Sequence, residues 1–405
     1  MYVVWFLIVI TVLGVGFAYI GWRIVVPAQL SSPYNRIAWI ALSLLFVIPV
    51  VAMILQRNGF EGWSERFAWV AYVGLGFLSF LLTFVLIKDI VWLAGIGGGK
   101  IFTFVRGLVD SSQSTSIPID HERRRLLVNA INLGIIGAAG MLTGFGVYEA
   151  RRRPSIVNVR IPIPNLPKDL QGFRIVQITD IHVGLTVKRD FVETIVEMAN
   201  ELKADLIAFT GDLADGSVHH LRRDVEPLKE LHAPHGLYFV TGNHEYYSGV
   251  EQWVEEARRL GYTVMANEHR LVERGAGKIL LAGVTDYTGG QFIASHVSDP
   301  AKAVEGAPVA DVRILLAHQP RSLRDALPHR FDLLLTGHTH GGQFFPWNLV
   351  ASLGQPYIQG LHKHEKTWIY VSKGTGYWGP PVRLAARSEI TVIELADGDA
   401  ARGLT

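Results

Sequence analysis

The sequence predicts a chain in two parts: apolar helices of membrane-crossing length in residues 1–150, then an α/β layered domain from Phe173 onward. Three observations carry this. Lys, Arg, Asp and Glu total 17 in the first 150 residues and 57 in the remaining 255. The second density is ordinary for a soluble domain, where roughly 25% of residues are charged, and the first is not. Four uncharged apolar runs fall in the first part, and short β-rich runs alternate with helical patterns in the second. A single soluble domain and a wholly membrane-embedded transporter are both excluded.

The four runs are Met1–Trp22, Ile37–Gln56, Phe67–Ile87 and Leu126–Tyr148, of 22, 20, 21 and 23 residues. A helix rises 1.5 Å per residue, so about 20 residues cross a hydrocarbon core about 30 Å thick. Four such runs in succession are hard to bury in a soluble core. The first lacks a basic leading segment and does not read as a secretory signal peptide. Trp22, Trp39, Trp63, Trp69 and Trp92 stand near run ends, where amphipathic rings favour the headgroup level. Lys and Arg around the run ends sum to eight on one side of the expected membrane and seven on the other, so the positive-inside rule does not orient the chain. Residues 110–120 read as a polar loop, and 151–172, with Pro154, Pro162, Pro164 and Pro167, as a linker.

From Phe173 the expected strands are Phe173–Thr179, Asp205–Thr210, Leu237–Thr241, Ile279–Val284, Arg313–Ala317, Phe331–Thr336, Trp368–Ser372 and Glu389–Glu394. Asp190–Leu202 and Glu251–Leu260 have helical apolar spacing. Bulk charge of +2 leaves no basic footprint for nucleic acid. With no cysteine there is no disulfide framework, thiolate zinc site or cysteine nucleophile.

The residues just after the strands carry the chemistry. They are Asp180-Ile181-His182, Gly211-Asp212, Gly242-Asn243-His244-Glu245, His318, and Gly337-His338-Thr339-His340. Side chains two apart in an extended segment point the same way, so Asp180 with His182, and His338 with His340, can each converge on one point. Carboxylate, imidazole and amide oxygen together suit Mn, Fe, Zn or Co. Each piece alone has a plainer reading as a turn, a cap or a surface histidine. Five at successive strand ends do not.

This ordered set resembles the calcineurin-like metallophosphoesterase superfamily, over about Phe173 to Leu395. Gly341-Gly342-Gln343 and Ser372-Lys373-Gly374-Thr375-Gly376, followed by Pro380-Pro381-Val382-Arg383-Leu384, look like its membrane-associated bacterial branch. The resemblance implies a four-layer αββα sandwich at 173–396, after a four-helix membrane region (about 1–24, 37–56, 67–87 and 126–148) and before a tail at 397–405. It implies two divalent metal ions, one held by Asp180, His182, Asp212 and His340, the other by Asp212, Asn243, His318 and His338. His244 matches the catalytic histidine, and Glu245 stands where the family has Asp or Glu to orient neighbouring groups. A water activated between the ions would attack a phosphoester or diphosphate. Tyr246, Lys373 and Arg383 are candidates to meet the substrate, a phosphorylated small molecule or a lipid-linked one. Phe344, Phe345, Trp347, Tyr377 and Trp378 suit an acyl chain or the bilayer surface, or simply loop packing. The alternative is a membrane sensor or assembly protein whose domain binds a phosphorylated ligand without significant turnover. Arg123-Arg124-Arg125-Leu126-Leu127 resembles a twin-arginine export core. Read so, the catalytic domain lies outside the cytoplasm; read as a basic flank, it gives no side.

Overall fold

The computed structural model describes residues 2–57, 61–109 and 120–398, which divide into two compact units meeting at Val147–Tyr148. Most of the expected polar loop at 110–120, and most of the tail at 397–405, lie outside the described residues.

In the first unit, helices cover Tyr2–Ile20, Tyr34–Arg57, Glu61–Val109 and, from His121, a helix that ends at Arg151. Tyr34–Ala52, Phe67–Gly99 and His121–Arg151 are long and apolar enough to cross a membrane, and Leu13–Ala28 is a shorter apolar stretch. Their outward faces are apolar: Ile40, Leu44, Val47, Leu133 and Met141 are exposed. Such a surface suits hydrocarbon, where helices satisfy their own backbone groups. Two features depart from expectation. The third helix does not stop at Lys88 but runs on through Val109: Lys88 donates to the Asn132 amide oxygen at 2.8 Å and Asp89 pairs with Arg23, so both groups find polar partners inside the unit. After Ile20 the first helix widens into a π turn at Gly21–Val25. A Cβ on Gly21 would lie 2.5 Å from the Trp39 ring, so only glycine admits this approach.

The second unit holds two six-stranded sheets. The first runs β1 (Ser155–Ile163), β12 (Glu389–Asp397), β2 (Arg174–Ile178), β3 (Leu206–Phe209), β4 (Leu237–Phe239), β5 (Thr263–Val264). The second runs β10 (Gly360–His364), β11 (Thr367–Val371), β9 (Leu333–Thr336), β8 (Val312–Leu316), β7 (Gly277–Gly283), β6 (Glu268–Arg274). Alternation along the strands fixes the layers. Ile175, Leu206 and Ala208 meet Ile279, Leu281, Val312, Ile314 and Leu335 in a core between the sheets. Val176, Ile207 and Phe209 turn the other way, onto Phe191, Ile195, Leu221 and Trp253 of covering helices. Leu315 and Leu334 turn away from the first sheet onto Ala303, Leu323 and Ala326. The result is the expected αββα sandwich. The segment 151–172 is not a linker. Ser155–Ile163 pairs in parallel with all of β12, from Ser155–Glu389 to Ile163–Asp397. It is an edge strand, where Pro162 withholds no hydrogen bond that a second neighbour needs.

Candidate metal centre

Strands β2, β3 and β4 run parallel, as do β7, β8, β9 and β11. Their carboxyl ends carry the site, the usual position for function in parallel sheets. Asp180 and His182 follow β2, Asp212 follows β3, and Asn243 opens the helix Asn243–Ser248 after β4. His318 follows β8, and His338 and His340 follow β9. Five of these seven have left-handed backbone: Asp180 (φ 54°), His182 (55°), Asp212 (57°), His338 (71°) and His340 (51°). That conformation costs about 1–2 kcal/mol for a residue with a Cβ, and such outliers cluster where function requires them. Two glycines make room. A Cβ on Gly242 would lie 2.1 Å from Asp212 Oδ1, and one on Gly337 2.1 Å from Asp180 Oδ2.

The side chains form two groups, with Asp212 facing both. Asp180, His182 and His340 gather in one, with His182 Nε2 3.0 Å from His340 Nε2 and His340 Nε2 3.5 Å from Asp180 Oδ1. Asp212, His318 and His338 gather in the other. There His318 Nε2 lies 3.1 Å from Asp212 Oδ2, 3.2 Å from Asn243 Oδ1 and 3.2 Å from His338 Nδ1. Asp212 Oδ2 is also 3.7 Å from His182 Nε2, so this carboxylate faces both groups.

The donor set fits divalent cations. His182 Nδ1 lies 2.9 Å from Asp215 Oδ1, and His318 Nδ1 2.7 Å from the Thr210 carbonyl. Both partners accept, so each Nδ1 carries a proton and each ring turns its Nε2 toward the site. Burial, with the Arg383 guanidinium beside it, holds His340 well below the usual imidazole range. Burial and the neighbouring His318 charge bring His338 to about 3. Imidazole nitrogens gathered among carboxylate and amide oxygens suit Mn, Fe, Zn or Co. Asp180 is fixed by a 2.6 Å bond from Thr179 Oγ1 and 3.0 Å bonds from the His338 N–H.

His244 and His338 are half-buried while the other candidate ligands are buried, so the site opens on their side. Burial opposes protonation of His244, but the carboxylates of Asp212 and Asp215 outweigh it and push the ring up to about 9. Sequence reasoning missed Asp215. Its Oδ1 lies 2.6 Å from His244 Nδ1 as well as against His182, so one carboxylate orients a candidate ligand and the candidate catalytic group. The only signal was its position three residues after Asp212, which reads equally as a turn. Glu245 takes N–H bonds from Asp212 and Gly242 at Oε2 and from Leu213 at Oε1, and so shapes the loop that presents Asp212.

The three expected substrate contacts are placed differently. Arg383 is fully buried behind His340; its Nη1 donates to the Ala386 carbonyl at 2.8 Å and its Nη2 lies 2.8 Å from His340 Nδ1. Lys373 Nζ pairs with Glu389 at 2.9 Å. Tyr246 is buried, with its hydroxyl 2.9 Å from His296 Nδ1. Arg383 and Tyr246 are thus buried, and Lys373 is half-buried in its ion pair. Aromatic rings stand on the open side: Trp378 and Tyr247 lie 5.6 and 5.1 Å from the His244 ring, and both are exposed.

Two facing sheets with histidine and carboxylate clusters on their loops define a layered α/β protein with a candidate metal centre. Residues 173–342 match the calcineurin-like phosphoesterase family. A zebrafish (Danio rerio) transmembrane protein with a metallophosphoesterase domain is 43% identical over 263 residues, 63% of this chain and 60% of that protein. An uncharacterised metallophosphoesterase of Helicobacter pylori is 40% identical over 280 residues, covering 68% of this chain and 73% of its own length. The transmembrane protein with metallophosphoesterase domain of Bos taurus is 36% identical over 354 residues, covering 81% and 74%. The chain belongs to the metallophosphoesterase family.

Proposed function

We propose that this chain is an integral, multi-pass membrane protein whose soluble unit hydrolyses a phosphoester or diphosphate bond with two divalent metal ions. The observation that carries the reading is Asp212, a single carboxylate facing both ligand groups with His244 beside it at the open side. Asp180, His182, Asp212 and His340 would hold one ion, and Asp212, Asn243, His318 and His338 the other. Bound there, the pair supplies an activated water and positive charge against the phosphoryl oxygens. His244 turns Nδ1 to Asp215, which leaves Nε2 directed toward Asp212 and the open side. Protonated, that nitrogen donates to the departing oxygen. Asp215 keeps the ring oriented and favours the protonated form.

The substrate is a phosphorylated small molecule or a lipid-linked one, and an apolar rim beside the His340–Gly342 turn supports the second. The helix Trp347–Gly354 carries no charge, and its Trp347, Leu349, Val350 and Leu353 are exposed, together with Phe345 just before it. An apolar rim of this kind matches an acyl chain. The Arg123-Arg124-Arg125-Leu126-Leu127 segment supports placing the soluble unit outside the cytoplasm. A reporter fused at Thr405, active in one compartment only, tests that placement.

The activity is tested with bis-p-nitrophenyl phosphate and the full chain in detergent. Hydrolysis that requires Mn²⁺, stops with chelator, and is lost in Asp212→Asn and His244→Ala supports the proposal. Unchanged turnover in Asp212→Asn would sink the ligand assignment. Two ions bound without turnover on any phosphoester would favour a binding role.

A further inference from the structure

The first unit contains a cavity of about 1060 Å³ between the Glu61–Val109 helix, the first part of the His121–Arg151 helix and the turn after Ile20. Its upper wall carries Arg23, Lys88, Arg124 and Arg125 against Asp89 and Glu122, four cations to two carboxylates. Much of the remaining wall is apolar, and Ile87, Val91 and Ile131 on it are exposed.

The depth of this cavity follows from the sequence. Phe67–Ile87 and Leu126–Tyr148 are uncharged for 21 and 23 residues, about 32 and 35 Å of helix at 1.5 Å per residue, close to the thickness of a hydrocarbon core. Lys88 directly follows the first run and Arg125 directly precedes the second. Arg124 and Arg125 therefore stand at the start of the second run, while Lys88, which donates to Asn132 at 2.8 Å, lies deeper between the helices. They are also held in place. Arg23 sits in the π turn, a device frequent at functional sites, and its carbonyl accepts a 3.2 Å bond from Asn132 Nδ2. Asn132 Oδ1 in turn takes Lys88 Nζ at 2.8 Å, and Arg125 Nη1 reaches Gln29 Oε1 at 3.2 Å. Lys88 stands inside the Phe67–Gly99 span, and a charge within a membrane span marks function by default.

We propose that this cavity binds one anionic phospholipid, its phosphate among Arg124, Arg125 and Lys88 and its acyl chain along Ile87, Val91 and Ile131. The charge excess selects an anionic head. The apolar wall asks for a chain that inorganic phosphate lacks. Basic pockets between membrane helices are suited to such lipids. The proposal does not depend on the activity of the second unit.

The test is native mass spectrometry of the full chain in detergent, titrated with phosphatidylglycerol or phosphatidylcholine. One phosphatidylglycerol per chain is expected, held at least about ten-fold more tightly than phosphatidylcholine. Arg124→Gln/Arg125→Gln should weaken it about thirty-fold, the combined effect of two basic groups near an anionic head. Arg36→Gln/Arg123→Gln removes the same charge from residues that do not line the cavity, and should leave binding intact. Gly134→Leu keeps the test open if the double variant does not fold. Gly134 lines the cavity with nothing within 4 Å of a built Cβ, so leucine fills the space without a clash and should displace the lipid. Equal affinity for the two lipids would overturn the proposal. So would equal losses in the cavity and control variants, retention by Gly134→Leu, or displacement by inorganic phosphate.

Discussion

Replacing Gly337 by alanine puts a methyl group where the structure has a carboxylate. The new Cβ would lie 2.1 Å from Asp180 Oδ2 and 2.4 Å from Thr179 Oγ1, against an ordinary contact of 3.4 Å. The carboxylate must therefore withdraw by about 1.3 Å, the shortfall from ordinary contact. Gly337 is not among the glycines with left-handed backbone, so alanine adds no strain of its own there. Overpacking of this size destabilises by about 1–3 kcal/mol, which a domain with three apolar cores tolerates. The site does not tolerate it. Groups of a metal centre must stay within roughly 0.5 Å of working geometry, and a 1 Å misplacement can lower a rate about 100-fold. Gly337→Ala should therefore bind the ion of the Asp180 group at least about ten-fold more weakly and lose about 100-fold in turnover. Metal content after dialysis, thermal unfolding and hydrolysis of bis-p-nitrophenyl phosphate read the three effects. Gly354→Ala is the control, since its nearest neighbour is an arginine side-chain nitrogen at 3.6 Å. A Gly337→Ala protein with two bound ions and normal turnover would refute the role of Asp180.

Asp215→Asn removes one of the charges that raise His244. If protonated His244 is the working form, its loss of activity at high pH should begin at lower pH, with kcat down about ten- to 100-fold; an unmoved alkaline limb would count against it. Trp253→Ala empties a fully buried site and removes the 2.9 Å bond from Nε1 to the Gly216 carbonyl. It should destabilise the second unit by about 3–5 kcal/mol, read by chemical unfolding. Mn²⁺ at about 1,000 times its Kd should stabilise that unit by about 4 kcal/mol, and the gain should vanish in Asp212→Asn. Val350→Ser/Leu353→Ser should slow hydrolysis of a vesicle-borne phosphoester and leave bis-p-nitrophenyl phosphate unchanged; equal effects on both would remove the case for a lipid-linked substrate.

What was legible in the sequence follows from physics. The eight expected strands are all present, because buried strands must be apolar and must end in turns. The missed ones lie mostly at or near sheet edges. Ser155–Ile163 was obscured by its proline, and Glu268–Arg274 by four charged residues in seven, both tolerated where one side of the strand lacks a partner. Asp180, His182, Asp212, Asn243, His318, His338 and His340 come together from five loops because glycine, aspartate and histidine in that order announce tight turns at strand ends. Side-chain direction was not legible. Arg383 and Lys373 are cations near the site in sequence, but the first supports His340 from behind and the second pairs with Glu389. Nor was the continuation of the third helix past Lys88, which depends on partners from other helices.

Metal stoichiometry of the full chain tests the central claim most directly. The chain is folded in detergent, equilibrated with Mn²⁺, freed of unbound ion and measured by plasma mass spectrometry beside its circular dichroism. The account predicts two ions per chain, and loss of both in Asp212→Asn with the fold retained. A folded chain that binds no divalent ion would contradict it.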